Sequence, residues 1–393
     1  MNHQVAILLK LLRRENVDAD WPSGETGWRP FARACEYHQV TPFVFCQLKN
    51  MENGAPAGLL GYLRQRFLEV SSRNYRLSKE AVDIAVFLRA DHIPVLAYKG
   101  PAVAIVAYGD LALRQYQDID LVIRERDLLK AVDLLVGRGF EIAPYSCRPR
   151  NPKEVSRSHE VTLAAPDQSY FVDLHWRLAP EQARAFCPDL DKMWDRIETI
   201  QFPQGSVLTF CREDLFMALC CHGSVHRWGR LKWLLDVAEI LRSKAGVDWN
   251  RVETMTIERP LARASVSLAV LLAHDLLDAP LPDALPRVLL VTERTRSVAS
   301  AISMEILTRG RTTGNNHTAL LGLEGSIPAW IDYLCVRYPK SLFEHAVVRV
   351  DPKDRAFVSL PRQLAFLYHL IRPVRLVGKH SARLARAAIS SRD

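Results

Sequence analysis

Asp118-Ile119-Asp120 places two carboxylates one residue apart at the head of the apolar run Leu121-Val122-Ile123. That run, with its β-branched residues, reads as a strand entering a buried sheet. Side chains at i and i+2 of a strand share a face, so Asp118 and Asp120 project together. Two ionised carboxylates so placed repel each other unless they are solvated or hold a cation. Their hard oxygen donors suit Mg²⁺, with Mn²⁺ as a substitute. The plainer reading of Asp-x-Asp is an acidic turn before a strand.

Two further segments add to this chemistry. Upstream, Ile93 to Pro101 reads as a short apolar strand that ends in Lys99-Gly100 before a helix. Pro101 suits the first turn of that helix, whose N–H groups could face phosphate oxygens, with Lys99 as a mobile positive charge or simply a solvated strand end. Downstream, Ser169 to Trp176 reads as a strand carrying one acid, Asp173, among apolar and aromatic neighbours. A buried acid needs a partner. Beside the Asp118 strand, Asp173 completes a three-carboxylate cluster. His175 shares the Asp173 face and orients that acid, contacts substrate or is structural. Arg114 either binds a triphosphate or pairs with Asp110 or Asp118. His222 and His226 are four apart on one helix face, a spacing that can hold zinc, but no third and fourth ligand is evident. Trp228 and Trp233 are core residues or, for Trp228, a platform for a base.

In this combination the sequence resembles nucleotidyltransferases of the DNA polymerase β superfamily, and more narrowly the bacterial nucleotidyltransferase family proteins. The matching elements are Lys99-Gly100, Tyr108, Arg114, Asp118 to Val122, Val172 to Trp176 and the His-rich helix from His222 to Leu241. The resemblance runs from about Arg64 to Leu241, with an echo in Tyr368 to Leu376. The superfamily's Gly-Ser turn is here Gly100-Pro101, which removes a hydroxyl and a backbone N–H. The resemblance implies an Mg²⁺-dependent transfer of an NMP from an NTP to a hydroxyl of an unknown acceptor, with release of pyrophosphate. It makes Asp118, Asp120 and Asp173 the catalytic and metal-binding residues, and Asp173 the candidate general base. It assigns Lys99, Gly100, Arg114 and Lys232 to the nucleotide, with Arg227 and Arg230 as further phosphate candidates. His175, His222, His226 and Trp228 would line the substrate pocket. On the residues alone, a metal-dependent glycosyltransferase using a nucleotide-sugar and a catalytically weak nucleotide-binding or scaffold protein stay open.

The elements that must position these residues suggest an α+β fold, a small mixed sheet with α-helical regions at both ends. The expected regions are a helical 1–90, a catalytic 91–205, a helical 206–310 closing the site, and a helical 311–393 with a basic tail. Helices are expected over 3–16, 28–49, 56–91 (with Ser71-Ser72 as a candidate break), 127–138 and 214–243. Glycines and Phe140-Glu141-Ile142 then open a strand, and Val161 to Ala164 with Tyr170 to Trp176 form a hairpin. The loop from Pro144 to Ser158 is rich in Arg, Asn, Pro and Ser and could cover the site. From Ala179 to Glu213 the pattern is irregular, with Asp236 a candidate i+4 partner for Lys232.

At 393 residues the chain can build real cores, and 48% hydrophobic with 24% charged residues is ordinary for a globular protein. The net charge of +8 owes much to the end, where seven Arg or Lys face the single acid Asp393 from Pro361 onward. Such a segment suits a peripheral membrane surface or a protein partner, or is solvated. The eight cysteines lack a Cys-x-x-Cys pair and read as reduced thiols of a cytoplasmic protein. Leu261 to Leu277 is the most apolar stretch, yet Arg263, His274 and Asp275 argue against a transmembrane segment.

Overall fold

Strands β1 (Leu96–Ala97) and β2 (Asp118–Val122) pair antiparallel at the centre of a mixed seven-stranded sheet. The computed structural model describes residues 2–310, apart from 18–20, 22–26, 52–54, 147, 150–154, 156–157, 282–288 and 290. The other strands are β3 (Glu141–Ile142), β4 (Glu160–Ala164), β5 (Phe171–His175), β6 (Ile197–Phe202) and β7 (Gly205–Phe210), in the order β3-β4-β5-β2-β1-β7-β6. The β2–β5 and β1–β7 pairs are parallel and the others antiparallel. The described residues belong to one compact unit. The basic tail, the echo at Tyr368 to Leu376 and the helices expected beyond residue 326 lie outside the described residues.

The alternation along β2 separates two cores. Ile119 and Leu121 face one side, where they meet Val161-to-Leu174 strand residues and two helices, α4 (Ala57–Ala90) and α6 (Leu128–Gly137). Val122 faces the other side with Leu96 and Tyr98, where the remaining helices gather. At about 1.5 Å per residue, α4 is long enough to serve both cores. Its Leu59 and Leu63 pack with α1 (His3–Leu12), α2 (Arg29–His38) and α3 (Thr41–Leu48), and its Leu77 to Leu88 half lies under the sheet. The helix is continuous through Ser71-Ser72 because its middle is tied to the loop before β2. Asn74 Nδ2 donates to the carbonyls of Leu111 and Arg114, each at 2.7 Å, and Arg73 Nε donates to Tyr116 O at 3.0 Å. Buried loop carbonyls need such donors. The expected 28–49 helix is broken at Gln39, whose φ is 56°.

After β1 the chain forms α5 (Gly100–Val103), which passes directly into a π-helical turn over Ala104–Tyr108. A short α7 (Leu190–Met193) follows the sheet's centre. The stretch expected to be irregular holds the β6–β7 hairpin instead. β6 is an edge strand with mostly exposed side chains, so its residues carry little hydrophobic alternation. The expected 214–243 helix is two helices, α8 (Arg212–Val225) and α9 (Leu231–Arg242). Then come α10 (Trp249–Thr256), α11 (Pro260–Leu277) and α12 (Glu293–Arg309). By length and composition α11 could cross a membrane, and here its apolar residues pack against α8, α9 and α12. Cys187 and Cys221 form a disulfide, which corrects the reading of both as thiols; Cys35, Cys211 and Cys220 are buried and free.

One buried ion pair fastens α9 to the approach to β2. Arg114 Nε and Nη2 each donate to a different oxygen of Asp236 at 2.9 Å, and Tyr108 Oη donates to Asp236 Oδ1 at 2.8 Å. Both charged side chains are almost fully buried. Removing one partner strands the other charge in a dry setting. Asp236→Ala is expected to cost about 3–5 kcal/mol in urea unfolding, and Arg114→Met with Asp236→Leu to recover most of that loss. A single variant as stable as wild type would show that the pair does not hold α9.

Candidate active site

Register brings the carboxylates together. In the parallel β2–β5 pair, Asp120 lies opposite Asp173 and Asp118 opposite Phe171. Opposed residues share a face, so Asp118, Asp120, Asp173 and His175 all point to the side of the sheet covered by α8 and α9. Ligand atoms of Asp120, Asp173 and His175 lie within 4.8 Å of one another, the arrangement among the described residues that could hold a metal ion. Asp118 shares the face one step along the strand and stands outside that tightest group.

Asp120 is the most constrained member, at 5% exposure. Lys99 Nζ lies 2.7 Å and His175 Nε2 3.0 Å from its Oδ1. Burial pushes a carboxyl up, but Lys99 and His175 more than offset it and hold Asp120 well below the usual carboxylate range. Lys99 is in turn kept protonated by Asp120 against the effect of its own burial. Asp173 behaves oppositely. Burial and the charge of Asp120 raise it to about 6, although Thr162 Oγ1 donates to its Oδ1 at 2.7 Å. Asp118 is also raised, by burial and then by Asp120. The sheet face therefore carries one firmly ionised carboxylate between two that lose protons less readily.

β4 adds residues that the sequence reading had passed over. Glu160 pairs in register with His175, and Thr162 with Asp173. His175 Nδ1 lies 3.2 Å from Glu160 Oε2, near enough for charge but not aligned as a hydrogen bond. A Glu-Val-Thr alternation before the Val172 strand was the available signal, since it puts Glu160 and Thr162 on one face. Tyr98, buried beside His175 at 5.7 Å between ring centroids, keeps a hydroxyl with no hydrogen-bond partner among the described residues.

The helical cover supplies positive charge. Lys232, in the first turn of α9, donates to Gln39 Oε1. Burial and the nearby Arg114 bring it down to about 7, against the pull of Asp236, Asp118 and Asp120. His222 is driven well below its ordinary value by burial and then by Lys99, His226 and Lys232, which places it among these cations. His222 and His226 are 4.5 Å apart between ring centroids, and both lie against Trp233, at 5.3 and 5.1 Å. Of the sequence candidates, Lys99, Lys232 and His222 thus gather at the carboxylate face, with His226 beside His222. Gly100 takes φ 44° at the entry to α5, where a Cβ would meet Asp118 O at 3.5 Å. Arg114 lends its charge from behind: its pairing is with Asp236, rather than Asp110 or Asp118, and Nη1 reaches Gly100 O at 3.3 Å. Asp236 is therefore Arg114's partner and not Lys232's. Trp228 is 1% exposed and has no face open to a base.

Trp228 explains why α8 and α9 are separate. Arg227 and Trp228 both adopt left-handed backbone, at φ 52° and 53°, and Trp228 N donates to Gly223 O at 2.8 Å. The reversal folds the indole onto Gly223, where a Cβ would sit 2.3 Å from Trp228 Cζ3. Only glycine leaves room.

Acidic side chains on neighbouring strands of a mixed sheet, with a lysine closing the adjacent strand, form a candidate active site. The chain belongs to the family of uncharacterised nucleotidyltransferases, whose model matches residues 24–278. Comparison with curated proteins finds no match. Among solved structures it is similar to an antigenic nucleotidyltransferase-like protein from Paracoccidioides brasiliensis, at 16% identity, covering 50% of this chain and 93% of that one with a TM-score of 0.30.

Two outcomes are expected. Gly223→Ala should lower stability by about 1–3 kcal/mol through overpacking against Trp228; thermal unfolding unchanged from wild type would show that the turn adapts. For Asp173, the folded state binds a proton more readily than the unfolded chain, so in chelator its contribution to stability falls as pH rises from its ordinary value of 3.8 to about 6. Metal-free Asp173→Asn should match wild type near pH 4 and be the more stable protein near pH 7.5. A difference that did not change with pH would contradict the raised carboxyl.

Proposed function

We propose that the protein transfers an NMP from an NTP to a hydroxyl of an acceptor and releases pyrophosphate. The observation that carries this reading is the register of β2 and β5, which sets Asp120 opposite Asp173 with Asp118 on the same face. Hard oxygen donors beside an ionised Asp120 fit Mg²⁺, and the His175 nitrogen in the same group makes Mn²⁺ an acceptable substitute. Asp118, Asp120 and Asp173 would hold the ion, which when bound would neutralise phosphate charge and lower the pKa of the acceptor hydroxyl.

The chain's own residues account for the remaining steps. Lys99 and Lys232 face the phosphates, and an arriving polyanion favours protonation of Lys232. Asp173 takes the proton of the acceptor hydroxyl. The freed oxygen forms a bond to the α-phosphorus while the bond to the bridging oxygen breaks, and pyrophosphate carries away that electron pair. Arg114 acts at one remove by fixing Gly100 and α9.

The test is an assay of the full chain with Mg²⁺, each α-labelled NTP and a fractionated extract as the source of acceptor. Asp118→Asn and Asp120→Asn are each expected to lower labelled product on the order of a hundredfold while remaining folded. Wild-type turnover in either variant, or no labelled product with any NTP, would contradict the reading.

A further inference from the structure

Tyr145 is the most exposed of the large apolar side chains among the described residues, at 72%. The backbone around it is nevertheless held by hydrogen bonds. It sits in a tight turn closed by Ser146 N donating to Ala143 O at 2.8 Å. The turn is pinned to Thr162 on both sides: Ala143 N donates to Thr162 O, and Thr162 N donates to Ser146 Oγ, each at 3.0 Å. The hydroxyl of the same Thr162 donates to Asp173. The Tyr145 ring rests on Phe171, with centroids 6.1 Å apart and planes tilted by 55°. Phe171 stands two residues before Asp173 on the carboxylate face and opposite Asp118. An aromatic lip thus borders the candidate base, and an aromatic ring in water beside a polar site offers a stacking face.

Position in the sheet says which substrate meets that lip. Lys99 and Gly100 follow β1, on one flank of Asp120, and Lys232 comes from the helix above. Tyr145 follows β3, on the opposite flank, beyond Asp173 and Thr162. The cations belong to the NTP phosphates, so the aromatic flank belongs to the acceptor. The charges that reach the Tyr145 hydroxyl are those of Asp173, Asp118 and Glu160, all negative. Glu160 stands outside the three acids that would hold the ion, so its charge remains on this flank, where it opposes a phosphate-bearing acceptor and favours a neutral one.

From this geometry we infer that the acceptor is a neutral hydroxylated ring of the saccharide type, stacked on Tyr145 with a hydroxyl turned towards Asp173. The inference rests on the nucleotidyl-transfer reading for the role of Asp173. A pyranose ring has apolar C–H faces for the tyrosine and hydroxyls for the carboxylates and Thr162.

The test needs no nucleotide. Saturation-transfer NMR on the full chain would use neutral methyl glycosides of the common hexoses and, separately, a short oligoribonucleotide. Saturation of the ring protons of at least one glycoside is expected, with binding about three- to tenfold weaker in Tyr145→Ala and kept in Tyr145→Phe. No transfer to any glycoside, transfer to the oligonucleotide alone, or equal binding by Tyr145→Ala would overturn the inference. Labelled-NTP assays with the bound glycoside separate the two readings. Ring binding at Tyr145 without labelled product leaves the saccharide site and removes the reaction. Product on an acceptor lacking such a ring, with no glycoside bound, leaves the reaction and removes the saccharide site.

Discussion

A carboxylate kept ionised inside the protein is the constraint on which the rest of the site depends. Asp120 is almost entirely shielded from water, and an unpaired buried charge would simply take up a proton. Lys99 and His175 prevent that from two directions, one at the end of β1 and the other on β5. Burial, and then the charge that Asp120 keeps, discourage its neighbour Asp173 from ionising, so the two acids differ in how readily they lose a proton. A cation entering the cluster would relieve the repulsion that separates them. The same surroundings that make the acids costly to bury therefore make the position attractive to a positive charge.

Much of the protein exists to hold those strands in register. Asn74 and Arg73 on α4 capture the carbonyls of the loop that delivers β2. Arg114, within that loop, reaches across to Asp236 and so links the strand's approach to the helix that carries Lys232. A shift of α9 would consequently move a cation of the site and strain the entry to β2 together. The Gly223–Trp228 contact sets the corner between α8 and α9, which decides where His222 and Lys232 face.

The centre of the fold was legible in the sequence because its signals are local. Asp118-Ile119-Asp120, Lys99-Gly100 and the lone Asp173 each sit in a short apolar run, and strand periodicity alone puts the acids on one face. What remained hidden depends on contacts distant in the chain. Arg114 could be read as a phosphate ligand or an ion-pair partner, and Asp236, more than a hundred residues away, could not be guessed from spacing. The β6–β7 hairpin was missed because an exposed edge strand has little apolar alternation. The α8–α9 corner was missed because its apolar pattern runs straight through, while the break is set by one indole that needs a glycine beneath it. Thr162 and Tyr145 join the site only once β4 lies beside β5.

On this reading the acids of β2 and β5 form one cation site whose charge Asp120 maintains. The most direct measurement is a titration of Mn²⁺ into the full metal-free chain, followed by the loss of the free-ion electron paramagnetic resonance signal. Saturable binding by wild type is expected, with competition by Mg²⁺ and loss of binding in Asp120→Asn with the fold intact. Wild type that bound no Mn²⁺, or Asp120→Asn that bound it as tightly, would show that these acids do not form a cation site.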